Sequence, residues 1–206
     1  MGLKKRLTGY TEKTMENRQM GAGAYFKNYD VETDNFTDAV TAGKLLGATQ
    51  GGGNFSAKPI ITTTEVDGVP SDAKGMEDID GWDVNMSANI LEITAENIKI
   101  ALGAATVATT TDGKYKKITG KSNIDPADYQ DNITFLGTMS GFDEPIILQI
   151  YNALATEGIN INPQDKKTTL LPTKFKAHAS FDKLDEPPFA IFVPIKAGSS
   201  ESGSGE

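Results

Sequence analysis

Between residues 82 and 90 the chain alternates without a break: Trp82, Val84, Met86, Ala88 and Ile90 fall on one side, Asp83, Asn85, Ser87 and Asn89 on the other. Only an extended strand returns every second side chain to the same face. This stretch therefore predicts an antiparallel strand with one face on a core and one face wet. Residues 171–181 repeat the pattern, with Phe175, Ala177, Ala179 and Phe181 set against Lys174, Lys176, His178 and Ser180. Ile133, Phe135, Gly137 and Met139 mark another strand, ended by the turn Ser140-Gly141-Phe142-Asp143. Residues 55–66 are β-branched and threonine-rich and stop at Asp67-Gly68, a hairpin signal. Shorter strands are expected over residues 24–29, 115–119, 145–151 and 189–195, the last at a sheet edge because it contains Pro194.

One helix stands apart from this background. Thr94 is a good N-cap, Glu96 suits the first turn, Ile98, Ala101 and Leu102 share a face, and Gly103 provides the stop. A weaker helical pattern covers residues 38–45. The expected fold is mainly β, a sandwich or partly rolled barrel with one flanking α-helix at about residues 95–102.

At 206 residues the chain has room for one domain with extensions. Residues 1–20 read as a basic, flexible, extended arm, 21–196 as the β-rich domain, and 197–206 as a flexible Gly/Ser tail. The net charge of −8 is unevenly placed: the arm holds five basic side chains against two acidic ones, and the remainder is strongly acidic. An acidic body repels nucleic acid at long range. The arm, through Lys4, Lys5 and Arg6, is a candidate for ordering against an acidic neighbouring subunit. No apolar stretch follows those residues, so a secretory signal is not expected and a cytoplasm-like compartment is. No run of about 18 apolar residues predicts a membrane helix.

The residues that could carry chemistry each lack a partner that chemistry needs. There is no cysteine, which removes disulfides and thiolate metal sites. The run Gly47-Ala48-Thr49-Gln50-Gly51-Gly52-Gly53 suggests a phosphate loop, but Asn54-Phe55 follows where Lys-Ser/Thr is required. It reads as a flexible or closely packed loop, and Gly51, Gly52 and Gly53 become candidates for contacts between subunits. In Gly21-Ala22-Gly23-Ala24-Tyr25-Phe26, Phe26 stands where the dinucleotide fingerprint needs its third glycine. His178 is the only histidine and has no HxxxH or Gly-x-Ser-x-Gly context. Asp30-x-Glu32-x-Asp34 begins like a calcium loop, yet Asn35 and Thr41 occupy positions that require glycine and glutamate. A glycosidase carboxylate pair needs only spatial proximity, so a carbohydrate-active or carbohydrate-binding sandwich stays as an alternative. No catalytic residue, cofactor or metal is expected, and the pattern fits assembly better than catalysis. Strand edges left open are liabilities, and pairing them between copies is one way to manage them. The threonine-rich residues 60–66 would suit a sheet lining a channel with its wet face.

Several ordered blocks resemble one family. Gly21-Ala22-Gly23-Ala24-Tyr25-Phe26-Lys27-Asn28-Tyr29-Asp30 and Gly43-Lys44-Leu45-Leu46-Gly47-Ala48-Thr49-Gln50-Gly51-Gly52-Gly53-Asn54-Phe55 are similar to the N-terminal part of major tail (tail tube) proteins from phages and prophages of Gram-positive bacteria. Val66-Asp67-Gly68-Val69, Lys74-Gly75-Met76, residues 82–103 and the late strand at 171–179 continue the likeness, which spans roughly 21–195. The resemblance implies a tail-tube β-sandwich that assembles as hexameric rings stacked into the tube of a virion tail, built in the host cytoplasm. It implies partners in the tape-measure, tail terminator and distal tail proteins, and DNA that passes without specific binding. An anionic lumen would let that DNA slide, and Glu65, Asp83 and Glu92 are candidates to face it. The alternative within the structural class is another virion component, a head–tail completion or decoration protein.

Overall fold

The computed structural model describes residues 9–18 and 23–196. Its strands are β1 (Ala24–Lys27), β2 (Thr49–Thr63), β3 (Glu77–Ile90), β4 (Ala105–Thr109), β5 (Lys116–Gly120), β6 (Gln130–Gly137), β7 (Ile146–Ala155), β8 (Leu171–Lys176) and β9 (Phe189–Phe192), with helices α1 (Phe36–Thr41) and α2 (Ala95–Leu102). Seven strands form one antiparallel sheet in the order β1-β6-β7-β8-β3-β2, with β9 also on β7, while β4 and β5 make a separate two-stranded ribbon. The fold is mainly β, as the alternation predicts, and it does not close into a barrel.

The sheet forks at β7. One edge of β7 pairs with β6 along its length, from Gly137 opposite Ile146 to Gln130 opposite Ala153. The other edge is shared: residues 147–150 pair with β9, and Leu154 and Ala155 pair with β8. Asn152 sits where the neighbour changes, in the left-handed region at φ 46 that asparagine tolerates better than most residues. Its amide donates to the His178 carbonyl at 3.1 Å, and His178 Nδ1 lies 3.0 Å from the Asn152 carbonyl. His178 also meets the Tyr129 ring edge-on at 5.2 Å. The one histidine is thus part of the fork.

Because the sheet forks, its two limbs turn their apolar faces to each other. Val84, Met86, Ala88 and Ile90 of β3, and Leu171 and Phe175 of β8, share one buried cluster with Tyr25, Ile133 and Ile150 of the other limb. Period-two alternation thereby becomes a sandwich core. The reverse side of β1, β6 and β7 carries a smaller cluster, Phe26, Tyr29, Leu136 and Ile147, joined by Ala39 of α1.

Both helices are held at their ends by side chains. Asn35 accepts from the Asp38 N–H at 2.9 Å at the start of α1, and Thr94 accepts from the Asn97 N–H at 3.1 Å at the start of α2. Gly103 ends α2 at φ 74, and a Cβ there would stand 2.3 Å from the Ala155 carbonyl, so no other residue fits without a shift. Beyond the ribbon, Lys121 bonds Asp125 at 2.7 Å and the buried Asp128 at 2.7 Å, tying the exit of β5 to the 3-10 turn Pro126–Asp128.

The structure departs from the sequence reading in several places, among them an unexpected strand at Ala105–Thr109 and a connection over residues 64–76 where a tight hairpin at Asp67-Gly68 was expected. The first helix covers Phe36–Thr41 rather than residues 38–45, because Lys44 and Leu46 hydrogen-bond with the edge of β1 instead. The late strand ends at Lys176; the chain turns at Ser180 and leaves Phe181 89% exposed, not in the core. β2 begins at Thr49, so Gly51, Gly52 and Gly53 lie inside a strand and not in a free loop. The threonine-rich stretch is wet on both faces, with Ile60 and Ile61 each more than half exposed.

Two outcomes follow. Phe175→Ala, which empties a fully buried site, should lower the unfolding free energy by about 3–5 kcal/mol in urea, while the outward Ser87→Ala should stay within about 0.5 kcal/mol. The hydrogen bond and charge of Lys121 hold the Asp128 carboxyl below its ordinary value. A depressed folded-state pKa contributes stability above the unfolded value and loses it as pH falls through the folded one. The stability gap between wild type and Asp128→Asn should therefore persist from pH 7 to about 5 and shrink below about pH 4. A gap unchanged at pH 3 would contradict this.

Candidate functional site

The long hairpin is the feature that the rest of the fold leaves unfinished. β2 pairs with β3 from Gly53 opposite Ala88 out to Thr63 opposite Glu77. On its far side β3 is met by β8 only from Asn85 to Ile90, with one further bond from the Ala177 N–H to the Val84 carbonyl. Residues 77–83 of β3 consequently have no second strand among the described residues, and β2 has none along its outer edge. The outer half of the hairpin is a two-stranded ribbon with two open edges. Trp82 against Phe189, at 5.1 Å, anchors its base. Beyond that anchor Ile60, Ile61 and Ile79 are 52%, 56% and 58% exposed. Pro59, which has no N–H to offer, interrupts the outer edge of β2 as edge strands often require.

The acidic residues gather at the far end of this ribbon. Glu65, Asp67 and Asp72 lie in the connecting loop, and Glu77, Asp78 and Asp80 follow at the start of β3; Lys74 is the one basic residue among them. All are exposed. The wet face nearer the body has a different character: Asp83, Asn85, Ser87 and Asn89 of β3 stand beside Lys58 of β2 and Lys174 and Lys176 of β8. Lys174 is paired with Glu157 at 2.6 Å.

The three residues expected to face a lumen do not form one group. Glu65 is in the hairpin loop, and Asp83 is mid-strand opposite Lys58, accepting from the Asn85 amide at 3.0 Å. Glu92 lies past the other end of β3, where its carboxylate accepts from the Ala48 N–H at 3.0 Å.

Glu92 belongs to a seam that links the two limbs on the side away from the fork. Lys44 and Leu46 bond to β1, and two residues later the Ala48 carbonyl accepts from the Leu91 N–H just past β3. Gly47, at φ 115, makes the crossing, and a Cβ there would meet the Glu92 side chain at 2.8 Å. The buried Asn97 amide donates to the Leu46 carbonyl and the Glu92 carbonyl, both at 2.8 Å. The glycine run follows as a bulge: the register slips between Thr49 and Gly53, with Gly51 and Gly52 at φ 81 and 75. Gly53 lies so close to Tyr25 that a Cβ would stand 2.0 Å from the phenol oxygen. Together Gly23, Tyr25, Gly51, Gly53, Phe55 and Phe135 help line a cleft of about 630 Å³, whose described lining offers no carboxylate, imidazole or ammonium group.

Other candidates are absorbed by local structure. Asp34 accepts from the Asp30 N–H at 2.8 Å and pairs with Lys44, while Asp30 accepts from the Glu32 N–H at 2.9 Å. These donors hold both carboxyls below their ordinary values, backbone N–H groups first. No group of His, Asp and Glu suited to a metal occurs among the described residues. Lys4, Lys5 and Arg6 lie outside the described residues. The nearer part of the arm rests on the body: the Ser140 N–H donates to the Arg18 carbonyl at 3.0 Å, and Glu16 pairs with Lys196 at 2.8 Å.

No protein-family model matches the chain, and no curated protein matches it.

The seam is open to a direct test. Asn97→Ala removes one amide that serves two carbonyls and should cost about 2–3 kcal/mol in chemical unfolding. Hydrogen exchange at the Ala48 and Leu91 N–H groups should rise with it, and unchanged exchange there would show that Asn97 does not brace the seam.

Proposed function

We propose that the chain is a self-assembling structural subunit that forms rings, hexameric by the family resemblance, which stack as a phage tail tube and conduct DNA. The observation that carries this reading is the hairpin with two open edges. Its outer β2 edge and the 77–83 edge of β3 are different surfaces of one ribbon. If the β2 edge of one copy pairs with the β3 edge of the next, the contact is heterologous, and heterologous contacts generate rings when the rotation closes. The exposed Ile60, Ile61 and Ile79 would be covered at the same time, and a lone two-stranded ribbon would gain the third strand that stability in water requires. The β-sandwich with one flanking helix and the ordered sequence blocks agree with the same reading. Tape-measure, tail terminator and distal tail proteins are the partners it proposes, with DNA in transit.

Concentrated wild-type protein should show rings or tubes by negative-stain microscopy. Ile61→Lys with Ile79→Lys changes two exposed side chains on facing positions of the ribbon. That variant should keep its fold by circular dichroism and sediment as a monomer. A wild type that stays monomeric at every concentration and salt tested would overturn the proposal.

A further inference from the structure

The two limbs of the sandwich leave a space between them that the glycine run does not fill. Register sets Tyr25 of β1, Phe135 of β6 and Leu148 of β7 in one row across the first limb. Phe55 of β2 and Met86 of β3 make a row on the other limb. All five line the cleft of about 630 Å³. Gly51, Gly52 and Gly53 line it too and bring no side chains into it. At two of its glycines the rings lie directly on the backbone. A Cβ at Gly23 would stand 2.0 Å from the Phe135 ring, and one at Gly53 would stand 2.0 Å from the Tyr25 oxygen.

Tyr25 gives this apolar space a polar point. The residue is 5% exposed, and its ring lies 5.0 Å from that of Phe135. No described residue accepts a hydrogen bond from its hydroxyl; burial is what acts on the phenol, and it pushes the pKa up. The group therefore stays protonated at neutral pH and can donate. Among the described residues no side-chain oxygen or nitrogen is both sealed and unpartnered, so the hydroxyl opens onto the cleft that Tyr25 lines. A buried donor with no acceptor of its own is favourably completed by a ligand that carries one.

The rest of the lining restricts what that ligand is. Three aromatic rings and the polarisable Met86 thioether suit a flat, unsaturated molecule. The described lining holds nothing to neutralise a charge, and the chain's net charge of −8 opposes an anion. The volume falls within the range of about 300–1,000 Å³ usual for sites that hold small organic molecules.

We propose that this cleft is a binding site for a neutral aromatic small molecule with one hydrogen-bond acceptor, which accepts from the Tyr25 hydroxyl. The ligand touches β1, β6 and β7 on one side and β2 and β3 on the other, so it braces the two limbs against each other. The site is independent of how copies of the chain assemble.

The neutral naphthyl ketone dye prodan, whose emission shifts to the blue on leaving water, is the probe for the full chain. It should bind saturably, one dye per chain, and the urea unfolding midpoint should rise with dye concentration because the unfolded chain has no such site. Tyr25→Phe keeps the ring and removes the hydroxyl, and it should weaken prodan binding about 3- to 10-fold, the worth of one neutral hydrogen bond. Binding of naphthalene, which has no acceptor, should not change in that variant. Leu148→Trp fills the cleft and should abolish prodan binding, with the fold checked by circular dichroism. The anionic dye anilinonaphthalene sulfonate should bind more weakly than prodan. No saturable prodan binding up to its solubility limit overturns the proposal, and so does equal prodan affinity in wild type and Tyr25→Phe. An equal loss for naphthalene assigns the effect to packing and overturns the hydroxyl's role. A folded Leu148→Trp variant that binds prodan like wild type also overturns the site. So does binding that is lost with Ile61→Lys and Ile79→Lys, which places the dye on the hairpin.

Discussion

β3 is much longer than the strand that shelters it. Its 14 residues face only six in β8, so half of β3 lies in a core and half runs beyond the body with β2 as its single partner among the described residues. Within the sheltered half, alternation seals the sandwich, because Val84, Met86, Ala88 and Ile90 are all buried together with Phe175 and Leu171. Past Trp82, which packs on Phe189, no strand among the described residues pairs with the free edge, and Ile79 is more than half exposed beside Ile60 and Ile61. Backbone donors and acceptors along an open edge are a template for another strand. The same strand thus organises the folded core and presents the surface proposed for assembly.

The remaining architecture supports that division. The fork at β7, fixed by Asn152 and His178, turns one limb of the sheet over the other so that a single chain can bury both inner faces. Opposite the fork, the Lys44 to Thr49 segment ties β1 to β3, held by Glu92 and the buried Asn97. With both sides tied, the hairpin extends from a braced body, as the proposed assembly would favour. Interfaces between preformed surfaces avoid much of the ordering cost that binding otherwise carries.

Legibility in the sequence followed burial. Residues 82–90 and α2 could be read because one face of each is apolar and the other polar, and the helix has side-chain and glycine signals at its ends. The strand at Ala105–Thr109 left no such trace: only Ala105 is buried, and Thr106 to Thr109 alternate between nothing but solvent. Phe181 continued a pattern that the chain abandons, since the turn after Ala177 is set by contacts with β7 that no local signal reports. The glycine run looked like a loop because glycine has no side chain with which to show alternation, and its strand character appears only in its register with β3. Of the candidate site, the acidic end could be counted from the sequence. The open edges could not, because they depend on which strand lies beside which. Glu65, Asp83 and Glu92 were grouped by strand alternation, yet they lie at the loop, the middle and the far side of the seam.

The central claim is that the 57–63 and 77–83 edges are unpaired in the monomer and paired between copies. Amide hydrogen exchange, followed residue by residue in the dilute monomer and in the assembled state, reports this directly. Outward-facing N–H groups of those two segments should exchange rapidly in the monomer and become protected on assembly, while the inner segment from Val84 to Ile90 should be protected in both. Equal exchange of the hairpin edges before and after assembly would contradict the claim, because the copies would then be joined through some other surface.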